Sequence, residues 1–438
     1  MGSSRFKLSF GSFEKCLTRR LTIAVTFLGL AVSVAQAEGF DNRAPLSLDE
    51  ALRLSIEYHP LILAKKNEYE AAEGELASAR WSAFPSPSFS FRELDDNGGQ
   101  NARSQETFSI SQPLWTGGRL SGGIDLAKAR RDASKMAIIE AEQEILAETT
   151  KSFLEFHRSQ LKLEIFKSNV VEHERLFKMI ERRVEASASP EVDLKLARAR
   201  LAFSRSQLLR QTNAIEAFRS SLQQLIGKPV FEILSPQYSN SKKEGLEEAE
   251  KQAMAFSPKV RKVKAEIAAL EASKKVSKSL LYPQVSIGYE RNFGDLRSGQ
   301  EPEQGFLGLD FQPGAGLSAR SSIRVSQAKQ RALKDSLQAL QREIYRDVQI
   351  TYREFLSAEM QLSPTRLLVD STSDVVASYL RQYTVGRKSW LDVLNAQREL
   401  VQARQSLVDN QAMLSIASFK LKILIGELNS KTIRGHSG

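Results

Sequence analysis

The chain has 438 residues, with 62 Lys or Arg against 52 Asp or Glu and a formal net charge of +10. One cysteine, Cys16, excludes an intrachain disulfide framework and cysteine-based metal sites. The charges are interspersed, and without a basic patch carrying interleaved aromatics the sequence points away from nucleic-acid binding.

Arg19 and Arg20 precede the apolar run LTIAVTFLGLAVSV (21–34), and AQA (35–37) has the small-x-small form of a cleavage site. Residues 1–37 therefore read as a secretory signal peptide, cleaved after Ala37. Cys16 would leave with it, as would five basic residues and one acidic residue, which lowers the net charge to +6. No further run of about 18 apolar residues follows, so the sequence offers no membrane-spanning helix.

The remainder is written twice. LDEA (48–51) recurs as LEEA (246–249), Pro60 as Pro258, Pro85 as Pro283, Pro113 as Pro313, Asp193 as Asp392, and LIG (225–227) as LIG (424–426). The offsets stay between 198 and 200, as expected for a tandem duplication with units 38–243 and 244–438.

Each unit opens with helix, then turns to period-two alternation. Strands are expected at about 86–94 and 105–115, and again at about 283–292 and 304–313, joined by Gly/Asn/Asp-rich loops at 95–104 and 292–303. Phe89, Phe91, Phe108 and Ile110 fall on one face, and so do Val285, Ile287, Tyr289, Leu307, Leu309 and Phe311. The other face carries Ser286, Gly288, Glu290, Gly308, Asp310 and Gln312. Trp81, Phe84, Trp115 and Tyr282 gather near the strand ends. The glycine-rich GGRLSGG (117–123) lacks the Lys-Ser/Thr of a phosphate loop and reads as a strand-to-helix transition.

Long helices follow. Phe156, Leu163, Val170, Phe177 and Val184 recur every seven residues, and Phe355, Leu362, Val369, Val376 and Tyr383 copy them in the second unit. Beyond a bend, Leu194, Leu201, Leu208, Ile215 and Leu222 keep step with Val393, Leu400, Leu407, Leu414 and Leu421. A strict seven-residue period is a coiled-coil seam. Pro364 predicts a kink in the second of these rods. The bends are hairpin tips at 185–194 and 383–393. Gly386 breaks the second, and Ser389 with Asp392 forms a capping box that reopens the helix. The first lacks glycine, and Ser189 as N-cap with Pro190 at the first helical position is expected to restart the helix.

Four strands, apolar on one face and polar on the other, are too few to close a membrane barrel. Copies must pool them with apolar faces toward lipid. The stretches LSLDEALRLSIEYHPLI, SQPLWTGGRL, the twin LIG endings and YTVGRKSWLDVLNAQREL resemble the TolC family of outer-membrane channel proteins over essentially the whole mature chain. The resemblance implies a mainly α fold with a small β part: coiled-coil hairpins form a periplasmic α-barrel, and a homotrimer forms a twelve-stranded barrel in the outer membrane of a Gram-negative bacterium. It implies no cofactor and no catalysis. The expected partners are a periplasmic adaptor (membrane fusion protein), an inner-membrane ABC transporter or other pump, and outer-membrane lipid.

By the same resemblance, Tyr383, Lys388 and Asp392 match positions that tie the inner hairpin closed as a periplasmic gate. Asn395 stands where other members carry a second aspartate, which weakens any cation-binding ring. Ser189, Pro190, Val192 and Asp193 at one tip, with Val385, Gly386 and Ser389 at the other, become adaptor contacts. Simple capping at a solvated turn is the competing reading of Lys388 and Asp392. The tip sequence and the absence of an anchoring cysteine look closest to type I protein secretion. Drug efflux with a resistance-nodulation-division or similar pump is the alternative, and a periplasmic coiled-coil adaptor or scaffold the second. Enzyme readings find no support: His59, His157, His173 and His436 form no paired metal spacing, and EHE (172–174) reads as a solvated helix face.

Overall fold

The computed structural model describes residues 45–95, 102–236, 245–294, 301–314 and 318–435; the expected signal peptide lies outside them. The elements run α1 (Leu48–Tyr58), α2 (Pro60–Trp81), β1 (Ser86–Asp95), β2 (Ala102–Trp115), α3 (Arg119–Glu185) and α4 (Glu191–Ile226). The same series then repeats as α5 (Leu246–Phe256), α6 (Pro258–Ser279), β3 (Gln284–Gly294), β4 (Glu303–Asp310), α7 (Ala319–Thr384) and α8 (Trp390–Ile425), closed by α9 (Ser430–Gly435).

Local chemistry sets the boundaries. Ser47 accepts from the Glu50 N–H and caps α1. Each short first helix of a unit ends two positions before a proline, because the residue preceding proline is pushed out of the helical region. Pro60 and Pro258 then occupy the first helical position of α2 and α6, with His59 and Ser257 as side-chain caps. Gly117 and Gly118, at φ +59° and +91°, turn the chain from β2 into α3. A Cβ at Gly117 would lie 2.8 Å from the Tyr282 Cβ, so only glycine fits there.

The helix α3 has 67 residues, or about 100 Å at 1.5 Å per residue. It packs on α1, α2, α4, α6 and α8, whereas α7 packs on α5, α6 and α8. The seven-residue stripe is accordingly only somewhat deeper in α3, where Leu163, Phe177 and Val184 are half-buried, than in α7, where Tyr383 is buried. Phe156 and Val170 are buried, while Phe355, Leu362, Val369 and Val376 are half-buried. Pro364 lies inside α7, which continues as helix on both sides of it.

Among the described residues, buried apolar side chains fall into four separate clusters. One joins α1 to Phe153 and Phe156 of α3 and Leu222 of α4. Another joins α5 and α6 to Ile344 and Val348 of α7. A third, small cluster holds Ile62, Ala141 and Ile145. The fourth lies at the tips, around Leu176, Ile180, Tyr383, Trp390, Val393 and Leu394. Truncating a sealed phenylalanine such as Phe153 to alanine costs about 3–5 kcal/mol.

The four strands form one antiparallel sheet in the order β1-β2-β3-β4, so β1 and β4 are both edges. Strand β4 ends at Asp310, short of the expected residue 313, where Pro313 has no N–H to donate to a ladder. Phe311 therefore lies just beyond the sheet. Between Pro113 and Trp115 the register shifts, and Gln112 pairs with Ile287. Ahead of this bulge, the alternation that runs through Phe108 and Ile110 puts Gln112 on the apolar face, where its amide donates to the Ala83 and Pro113 carbonyls.

Candidate functional site

Two places gather unusual side chains: the face of the sheet and the hairpin tips. On the sheet, Phe89 pairs with Phe108, Ile110 with Tyr289, Ile287 with Leu307, and Val285 with Leu309. All eight share one face. Phe89, Leu307 and Leu309 are 65%, 72% and 69% exposed, which is a costly display in water and an ordinary one in lipid. Phe91 and Phe293 extend this face; the sequence analysis omitted Phe293, which sits where the strand was expected to have ended.

The opposite face is polar. The Ser88 and Ser109 hydroxyls are 2.8 Å apart, and Thr107 Oγ1 donates to Asn292 Oδ1 at 2.8 Å. Phe306 is the exception. It pairs with Gly288 on this polar face, and its ring lies so close that a Cβ at 288 would clash with it. Two aromatic pairs mark the helical end of the sheet: Trp81–Phe84 with centroids 5.1 Å apart, and Trp115–Tyr282 at 6.1 Å. Such amphipathic rings favour a membrane–water boundary.

The tips are twins in backbone and different in side chains. At the first, the Ser187 N–H donates to the Val184 carbonyl and the Ala188 N–H to the Arg183 carbonyl. At the second, Gly386 donates to Tyr383 and Arg387 to Gln382. Both are Schellman motifs, and the left-handed position falls on Ser187 (φ 54°) and Gly386 (φ 75°). The first tip thus does without glycine by holding a serine in a conformation that costs an L-residue about 1–2 kcal/mol.

The next helices open at Pro190 and Ser389, both extended. The expectation of Ser189 as N-cap is corrected here. Pro190 occupies the cap position and Glu191 the first helical one, one residue later than the sequence suggests. Ser389 carries the full capping box: the Asp392 N–H donates to Ser389 Oγ at 3.1 Å, and the Ser389 N–H donates to Asp392 Oδ2 at 3.0 Å. Hydrogen bonds from the Ser389 hydroxyl and then its backbone hold the Asp392 carboxyl below the usual range, with Lys388 adding a smaller pull.

Released from capping, Ser189 reaches across to the other hairpin. Its hydroxyl lies 3.1 Å from the Tyr383 hydroxyl and accepts from Arg183 Nε at 3.4 Å. Tyr383 is 6% exposed, tilted against Trp390 at 5.6 Å, with the Arg183 guanidinium 4.9 Å over its ring. The Lys388 ammonium stacks 4.3 Å over Tyr379 rather than pairing with Asp392. Of the four expected gate residues, only Tyr383 crosses between hairpins. Lys388 and Asp392 stay on their own, and Asn395 is half-buried one turn above.

The outward end of the tips shows Val192 and Val385, each 69% exposed, beside exposed Pro190, Gly386 and Ser389; Asp193 is half-buried. Leu391, 52% exposed, is the twin of Val192 at an offset of 199 and was missed by the sequence analysis. The repeat itself was the signal that could have found it. The EHE segment is likewise corrected. Its residues are half-buried, and Glu172 and Glu174 are engaged by Arg175 and Arg205. Among the described residues no cluster of His, Cys, Asp or Glu is placed to hold a metal ion. No described helix is long and apolar enough to cross a membrane.

An amphipathic four-strand sheet with two free edges, continued by rods of about 100 Å, defines a channel-forming subunit. The profile of the outer membrane efflux protein family matches residues 51–228 and 250–427, once in each half. The chain belongs to that family: it is a component of outer-membrane efflux channels with a large periplasmic helical part, and not an enzyme. It is 25% identical over 410 residues to the cobalt-zinc-cadmium resistance protein CzcC of Cupriavidus metallidurans, covering 88% of this chain and 93% of that one. Its fold is shared by the CmeC outer membrane channel of Campylobacter jejuni (TM-score 0.76, 14% identity, 89% of each chain). The outer membrane protein VceC of Vibrio cholerae also shares it (TM-score 0.74, 13% identity, 86% of this chain and 96% of that one).

Proposed function

We propose that three copies close their sheets into a twelve-stranded barrel and their rods into a periplasmic tube, forming a passive exit duct. The carrying observation is the sheet itself: one apolar face and two unpaired edges, β1 and β4, which lipid does not tolerate. Signal peptide 1–37 exports the chain, and units 38–243 and 244–438 each supply one hairpin of strands and one of rods. Tyr383, Lys388, Asp392 and Asn395 form the gate. The tips, with Val192, Val385 and Leu391 outermost, meet a periplasmic adaptor that links the duct to an inner-membrane pump.

For cargo, the reading best supported is small solutes, divalent metal cations first. It rests on the match to CzcC over 93% of that protein. Asn395 fits this reading, because one aspartate per protomer, already engaged by Ser389, retains a passing cation weakly. Type I protein secretion is the second reading, favoured by the tip sequence RQYTVGRKSWLDVLNAQREL. A deletion strain separates them. Sensitivity to cobalt, zinc or cadmium with a normal set of secreted proteins supports the first; loss of one large exported protein with unchanged metal tolerance supports the second. The duct reading itself is tested on protein extracted from outer membranes. A heat-modifiable trimer that conducts ions in a planar bilayer is expected, and a detergent-independent monomer without conductance overturns it.

A further inference from the structure

Behind the tips, the groove between α3, α4 and α8 encloses a cavity of about 80 Å³. Into it project His173 of α3, Arg200 and Gln207 of α4, and Arg398 and Gln405 of α8, with Leu394 of the tip cluster as part of its wall. No carboxylate lines it. Among the described residues neither Arg200 nor Arg398 has an ion-pair partner, and Glu172 and Glu174, which flank His173, are taken by Arg175 and Arg205.

Arg200 Nε is sealed from solvent with no acceptor, a condition that is costly for a guanidinium unless an anion supplies the lone pair. Asn169, 5% exposed, receives Gln397 on its carbonyl oxygen at 3.4 Å, leaving its amide N–H groups for the cavity. The polar lining is therefore rich in donors and free of carboxylates: two guanidiniums, four amides (Asn169, Gln207, Gln402 and Gln405) and an imidazole. Its size suits a single tetrahedral or planar group rather than a larger molecule.

We propose that this cavity binds a small oxyanion of the phosphate, sulfate or carboxylate class. Bound there, the anion bridges Arg200 on the first hairpin to Arg398 on the second. It staples the inner hairpin to its neighbour immediately behind the tip and biases the tip toward the closed arrangement. The staple is separate from the Tyr383–Ser189 contact, which lies on the far side of Leu394.

The test is calorimetric titration of the purified full chain in detergent with inorganic phosphate and with sulfate, against chloride at equal ionic strength. Saturable heat is expected for both oxyanions and not for chloride. Arg398→Gln, at an exposed position that leaves the fold intact, lowers affinity about tenfold, and adding Arg200→Gln abolishes binding. Lys251→Gln, on α5 and outside the cavity, leaves it unchanged. Absence of saturable heat, or equal binding by Arg398→Gln, overturns the site. In a planar bilayer, phosphate lowers the open fraction of the wild type and not of Arg398→Gln. Binding with an unchanged open fraction overturns the staple. The calorimetric arm stands without the duct reading, so failure of one is distinguishable from failure of the other.

Discussion

Tyr383→Phe isolates one hydroxyl. The ring keeps its place against Trp390 and under Arg183, while the 3.1 Å contact to Ser189 is lost. A net hydrogen bond of this kind contributes about 1 kcal/mol. In the proposed trimer three such ties open together, giving about 3 kcal/mol, or a shift of about 150-fold in the closed-to-open ratio. Ser189→Ala removes the same bond from the other side, so the double variant should behave as either single one does. The assay is single-channel recording in planar bilayers, with open fraction and conductance compared across the four proteins of the cycle. Both singles should raise the open fraction, and the pair should not add. Additive effects would show that the two hydroxyls act separately, and unchanged recordings in all three variants would remove this contact from the gate.

The capping box gives a pH signature. Because the Asp392 carboxyl is held below its usual 3.8, its stabilisation is present above that value and is lost as pH falls through the depressed one. Asp392→Ala should lower the melting temperature at neutral pH, with the difference vanishing in strong acid; a constant difference across pH would refute the assignment. His173 works in the opposite range. Burial first, then Arg200, lower its affinity for a proton against the pull of Glu172, so the unfolded chain takes up protons first on acidification below about 6.5. Stability should fall there, and His173→Gln should flatten the slope in thermal melts. At the tips, Ser187→Gly should slow amide hydrogen exchange around residue 187. Gly386→Ser should hasten it around 386 by about 1–2 kcal/mol, a conformational cost since a Cβ there meets nothing within 4 Å. Gly288→Ala should cost about 1–3 kcal/mol by displacing the Phe306 ring, and Phe306→Leu should restore the yield of heat-resistant protein.

The duplication made much of this legible. Landmarks at a near-constant offset placed both hairpins of strands, all four long helices and both tips, because period two and period seven are local properties of the chain. Ser389 with Asp392 was readable for the same reason. The misplaced cap at Pro190 shows the limit. Proline suits either the cap or the first helical position, and the choice moved Ser189 from a local role to a contact 194 residues away. Gln112 follows Phe108 and Ile110 at period two and so lies on the apolar face; it escaped because a glutamine does not read as part of an apolar stripe. Phe306 escaped because alternation sorts a residue onto a face without saying that its cross-strand neighbour is glycine. His173 was read as solvated because the third helix that covers it belongs to the other unit.

The separation of the buried clusters has its own consequence. Since the tip residues pack among themselves, with the hydrogen-bonded pair Asn169 and Gln397 in the stretch above, changes at the far end need not loosen the collar around Phe153 and Phe156. Selection can therefore refit the mouth of the tube to new docking proteins while the shaft and the portion in the bilayer keep their old sequence constraints, much as a coupling is exchanged on a standing pipe.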